Sequence, residues 1–137
     1  MNSDKIMIGV FLAIAMAIFF YFQSMQETRK LNENIGSVKQ SIIKSNRPRI
    51  ITFTAAWCPA CQQFKPVLKK VMLDYASSID CQIINIEDKQ NAQIVHAFNV
   101  HSIPATYIFD RKGNLLVKQV GFIEPDDLDQ DLRKTVF

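Results

Sequence analysis

Hydrophobic positions divide the chain into two unlike zones. From Ile6 to Phe22 the residues run without a charge and are apolar on every side, with Gly9 as the one helix-weakening position. At about 1.5 Å per residue, a helix over this run covers roughly 26 Å, near the lower limit for crossing a hydrocarbon core of about 30 Å. Beyond Gln23 the chain turns polar and its apolar residues become periodic. Leu31, Ile35, Val38 and Ile42, spaced by four, three and four, make one stripe of a helix. The stripe reads as a connector whose last turns, around Ile42 and Ile43, pack on the domain that follows. A coiled-coil seam would need three or four heptads, and the stripe is shorter than that. Asn46-Arg47-Pro48 ends the connector, because proline disfavours helical geometry in the residue before it.

Short blocks of alternating character follow. Ile50 to Thr54 predicts a buried strand, Gln62 to Tyr75 a helix, and Cys81 to Ile86 a second strand. Lys89 to Phe98 predicts a helix with Ile94, Val95 and Phe98 on its apolar side. Thr106 to Phe109 and Leu115 to Val120 form a hairpin around the turn Asp110–Asn114. Glu124-Pro125-Asp126-Asp127 opens a last helix, with proline early, acids in the first turn, and Leu128, Leu132 and Val136 turned inward. Strand–helix–strand–helix–hairpin–helix predicts an α/β domain, a central mixed sheet with helices on both faces. Three segments result: a tail and apolar span over 1–22, a helical connector over 23–46, and the domain over 47–137.

Composition sharpens this division. A chain of 137 residues exceeds what one core of about 100 residues requires, and the apolar run accounts for part of the excess. The net charge of +3 comes from scattered basic residues, which argues against nucleic acid as the main partner. A cleaved signal peptide would show an apolar region of about 7–15 residues followed by a small-residue cleavage site. Ala15-Met16-Ala17 has suitable residues but lies inside the apolar run, so Ile6–Phe22 reads as a single membrane-spanning anchor. Tyr21 and Phe22 sit where an aromatic belt would lie. Lys5 on one flank and Arg29 and Lys30 on the other leave the positive-inside rule without a vote. The usual behaviour of a short N-terminal anchor places the domain outside the cytoplasm, on the periplasmic side.

The candidate chemistry lies at Trp57-Cys58-Pro59-Ala60-Cys61. A thiolate attacks a disulfide best when its pKa is near ambient pH and a second thiol stands close enough to release the mixed disulfide. Two cysteines three apart supply both. The first opens a helix, where unpaired N–H groups stabilise a negative sulfur, and Pro59 falls at the first helical position, where its missing N–H costs little. Cys81 opens an apolar strand and reads as a structural thiol. His101, three residues before Pro104, and His96 read as surface residues, and Lys69-Lys70 as a solvated face. A zinc site needs four ligands. Cys58, Cys61, Cys81 and a histidine offer donors but no second close-spaced pair, so neither a metal nor another cofactor is expected.

This succession of elements, with Trp-Cys-x-x-Cys after the first strand, Ile103-Pro104 before the hairpin and Val120-Gly121 closing the fourth strand, resembles the thioredoxin superfamily over about 42–137. The resemblance implies a thioredoxin fold preceded by one transmembrane helix, and thiol–disulfide oxidoreductase activity. By position, Cys58 matches the exposed nucleophile and Cys61 the buried resolving thiol. Pro104 matches the family's cis-proline, cis geometry being essentially a proline property. Ile103 would offer backbone groups to an extended substrate chain, and Trp57 would shield the sulfurs on one flank. Protein disulfides are the implied substrates. A thiol electron donor is also implied, in the extracytoplasmic case a membrane transporter of reducing equivalents. Oxidase or isomerase chemistry runs the same steps in reverse, and a non-catalytic protein-binding module is the reading from another class. Three features depart from the family. Its buried aspartate, six residues before the first cysteine, is Thr52; a partner lysine in the next strand is Ile83; and the motif dipeptide is Pro59-Ala60, closer to membrane-linked and periplasmic relatives such as disulfide-relay reductase domains.

Overall fold

β1 (Arg49–Thr54) occupies the interior of the sheet because four successive residues, Ile50 to Phe53, can be buried on both faces at once. In the computed structural model, which describes the backbone of residues 2–42 and 46–136 and the side chains of 7–26, 29 and 46–135, β1 is preceded by α1 (Asn2–Ile42). It is followed by α2 (Pro59–Asp74), β2 (Asp80–Asn85), a 3₁₀ turn over Lys89–Asn91 and α3 (Ala92–Ala97). The hairpin β3 (Ala105–Phe109) and β4 (Leu115–Val120) and then α4 (Pro125–Val136) complete the chain.

The strand order is β2-β1-β3-β4, with β1 and β2 parallel and the other two pairings antiparallel. This is the expected mixed sheet. The parallel step needs a crossover, which α2 supplies. The antiparallel step needs only the Asp110–Asn114 turn, where the Asp110 carboxylate accepts the backbone N–H groups of Lys112 and Asn114, each at 2.8 Å. Gly113 there has φ 79°, a conformation open to glycine.

Alternation along the strands splits the core. Ile51, Phe53, Ile84, Tyr107 and Phe109 meet Ala97 and Phe98 on the α3 side. Ile50 and Ile108 meet Phe64, Leu68 and Val71 of α2 and Leu128 and Leu132 of α4 on the other. The expected inward residues Leu128 and Leu132 are both fully buried. α4 carries acids in its first turn and Arg133 and Lys134 in its last, which complements the helix dipole at both ends.

Span and connector form one continuous helix, since nothing between Phe22 and Glu27 breaks it. Within it, Met7–Gln26 is apolar enough and long enough to cross a membrane, and none of this stretch is buried against the protein. A segment of that kind serves either as a membrane anchor or as a signal sequence. The side chains of the stripe Leu31, Ile35, Val38 and Ile42, and those of Ile43 and Val136, lie outside the described residues.

Candidate functional site

β1 ends at Thr54, and the chain turns through Ala55–Trp57 into α2. Two side chains pin this turn at one residue. The Glu87 carboxylate, just beyond β2, accepts the Ala56 N–H at 2.9 Å, and the Gln62 amide donates to the Ala56 carbonyl at 2.7 Å. Cys58 then caps α2. Its backbone is extended (φ −88°, ψ 111°), Pro59 follows at the head of the helix, and the Cys61 N–H donates to Cys58 Sγ at 3.2 Å. An N-cap sulfur receiving a backbone N–H at the positive end of a helix is favoured as a thiolate. α2 begins at Pro59, the first helical position expected for it, and continues through the predicted Gln62 stretch to Asp74. It also accommodates Pro66 without ending, although that residue cannot donate to the Gln62 carbonyl.

Cys58 and Cys61 are joined as a disulfide with their Cα atoms 5.2 Å apart, inside the range such a bond requires. Cys58 was expected to be exposed and Cys61 buried, yet each is 4 % exposed. In the oxidised form the two sulfurs turn toward one another, and Ala55, Ala60, Ile86 and Ile103 close around them. Trp57 contributes less cover than expected, its side chain being 66 % exposed. The Ile103–Pro104 peptide bond is cis. The Ile103 carbonyl oxygen lies 3.8 Å from Cys58 Sγ, and the Pro104 carbonyl accepts the N–H of Gly121 at 2.7 Å. Gly121, at φ 98°, takes a backbone geometry that a side chain would strain, and so ties the end of β4 to the proline loop.

Beneath α2 the sheet presents Thr52, paired in register with Ile83 on β2 and with Thr106 on β3. Both threonines are buried, and their hydroxyl oxygens are 3.2 Å apart. The position of the family's aspartate is therefore interior, and it holds a neutral hydroxyl pair. Cys81 is free and partly buried; burial pushes its thiol up to about 11, and Asp80 acts in the same direction, so it remains a neutral thiol. His96 and His101 are exposed. Among the described residues no group of three or more His, Cys, Asp or Glu side chains is placed to hold a metal. Sequence reasoning passed over Glu87 and the amide of Gln62. Only the adjacency of Gln62 to Cys61 hinted at a role, and Glu87 gave no local signal because its partner lies across the sheet.

The Thioredoxin family model matches residues 29–134. The chain is 32 % identical over 101 residues to the thioredoxin of Pyropia yezoensis, covering 74 % of this chain and 92 % of that protein. It is 28 % identical over 98 residues to the thioredoxin of Pseudomonas aeruginosa, covering 72 % and 88 %. A thiol:disulfide interchange protein TxlA homolog of Synechocystis is 23 % identical over 114 residues, covering 82 % of this chain and 63 % of that protein. A solved structure described as that of a malarial protein superposes with a TM-score of 0.59 at 22 % identity, over 66 % of this chain and 99 % of that one, a likeness of fold. A mixed sheet carrying a Cys-x-x-Cys pair at a helix N-terminus, opposite a cis-proline, defines a thiol–disulfide oxidoreductase. The chain belongs to the thioredoxin family.

Proposed function

We propose that this protein reduces protein disulfides outside the cytoplasm while held to a membrane by Met7–Gln26. Cys58 attacks a substrate disulfide, its thiolate favoured by the N-terminus of α2. A mixed disulfide forms, and Cys61 displaces the substrate thiol to leave Cys58–Cys61. The observation that carries this reading is the 3.2 Å hydrogen bond from the Cys61 N–H to Cys58 Sγ, which gives the two sulfurs different electrostatic roles. The backbone of Ile103, beside the cis-proline, takes the substrate chain in extended form. Returning the disulfide to dithiol requires an electron donor, for which a membrane transporter of reducing equivalents is the fitting class.

The reductive direction is supported by the Pro59-Ala60 dipeptide, which resembles that of disulfide-relay reductase domains. Equilibrating the Cys58–Cys61 couple against glutathione tests it. A potential near about −270 mV fits a reductase, and one near about −120 mV would make the protein an oxidase instead. Cys61→Ser should trap substrates as mixed disulfides on Cys58, and Cys58→Ser should abolish turnover. Partner binding that is the same in wild type and Cys58→Ser, with no turnover in either, would leave a binding module as the surviving account.

A further inference from the structure

Proton removal from Cys61 is the one step for which the sheet beneath α2 supplies no acid or base, because the hydroxyls of Thr52 and Thr106 are bonded to each other. Cys61 has another neighbour space. Between α2 and the β1–β2 side of the sheet lies an open cleft of about 270 Å³, walled in part by Thr54, Cys61, Lys65, Ile83 and Asn85. Cys58, Ile103 and Pro104 take no part in that wall, so the cleft borders Cys61 on a side separate from the substrate side. A water molecule takes about 30 Å³, so several fit in a cleft of this size.

Lys65 stands one helical turn beyond Cys61 on α2, a spacing that sets their Cβ atoms about 5–6 Å apart on the same face. It is the one charged residue of the cleft wall. Other elements bring no charge to this wall: β1 offers Thr54, and β2 offers Ile83 and Asn85. The Glu87 carboxylate is engaged by the Ala56 N–H, Lys69 lies a further turn along α2, and His101 sits exposed in the loop before Pro104.

From this geometry we infer that Lys65 is a positioning residue for the resolving step, its ammonium favouring the Cys61 thiolate while cleft water carries the proton away. The inference rests on Cys61 being the resolving thiol. The Cys61 thiol gives its proton to cleft water and thence to buffer. The sulfur lone pair attacks Cys58 Sγ, the Cys58–substrate S–S bond breaks, and the Cys58–Cys61 bond forms. The substrate leaves as a thiolate, carrying the electron pair. Lys65 is exposed, so its charge acts largely through water; an ammonium within about 6 Å of the sulfur in that setting would raise the thiolate fraction by about threefold, and by up to about tenfold where the cleft screens it less.

The test is stopped-flow reaction of the reduced full-length protein in detergent with dithionitrobenzoate, which releases one coloured thiolate on attack by Cys58 and a second on resolution by Cys61. In Lys65→Gln the second phase should slow by about threefold to tenfold near neutral pH, with its profile displaced to higher pH and the first phase unchanged. Lys65→Arg should restore wild-type behaviour, and added salt should narrow the gap between wild type and Lys65→Gln. A Lys65→Gln second phase that overlays wild type at every pH would overturn the inference. So would a Lys65→Arg protein as slow as Lys65→Gln, since charge is then not the cause. Absence of the first phase from the wild-type protein would remove the Cys58 assignment itself, and the inference with it.

Discussion

The two faces of the sheet are built for different ends. On the α3 side the core is almost wholly aromatic and aliphatic, with Phe98 in ring contact with Phe53, Tyr107 and Phe109 at centroid distances of 5.2, 4.9 and 6.0 Å. On the α2 side the same sheet carries a polar row, Thr52 and Thr106, under the helix that holds both sulfurs. The first face stabilises the fold and holds none of the motif. The second gives up apolar contact at two interior positions, and there the fold has room for chemistry.

Three changes would break or sharpen that contrast. Phe98→Ala should have the largest effect, about 3–5 kcal/mol of stability, as for a fully buried ring that leaves a cavity. Denaturant unfolding measures it, and the resolving rate of the folded protein should be unaltered. A changed rate would mean that the two faces are coupled. Thr52→Asp should cost less, about 1–3 kcal/mol, since it puts a poorly paired carboxylate into the interior. It should also hasten decay of a Cys58 mixed disulfide near neutral pH, by giving Cys61 a nearby base. Unchanged stability together with an unchanged rate would show that position 52 has no influence on the sulfurs.

The smallest effect is alkaline, and both faces contribute to it. Burial raises the Tyr107 hydroxyl to about 12 and the Cys81 thiol to about 11, from ordinary values of 10.0 and 9.0. Each group is more readily ionised when unfolded. The stability each contributes is therefore intact below its unfolded value and is lost as pH rises through the folded one. For Cys81 the loss should set in near about pH 9 and be complete above about pH 11, reduced in size by the solvent that reaches this half-buried thiol. Cys81→Ala should flatten the stability curve between about pH 9 and 11, and Tyr107→Phe between about pH 10 and 12. Curves that superpose on wild type would show that these groups titrate alike in both states.

Much of this was legible in the chain. Alternation located the four strands, because strands buried on one or both faces leave a local record, and Pro104 and Gly121 announced themselves because few other residues suit their backbone geometry. What escaped reading depends on contacts between elements. Glu87 and Gln62 meet at Ala56 only once β2 and α2 are packed beside β1. The burial of Cys58 follows from Ile86 and Ile103 closing over the oxidised pair, whereas a sequence-level match portrays the reactive, open thiol. Lys65 is a solvated residue in the fold as in the sequence, and only the cleft beside Ile83 gives it a wall to share with Cys61.

The unbroken run of α1 has a consequence for encounter. If Met7–Gln26 crosses the bilayer, the helical residues 27–42, at about 1.5 Å each, extend about 24 Å past its end. In that case the helical length sets how far residue 42 stands above the lipid. Partners confined to the same membrane would then be met in two dimensions, at a raised effective concentration. A freely diffusing disulfide enjoys no such advantage. Inserting a flexible Gly-Ser segment after Ile42 should dilute that advantage for membrane-bound substrates and leave turnover of a small soluble disulfide unaltered.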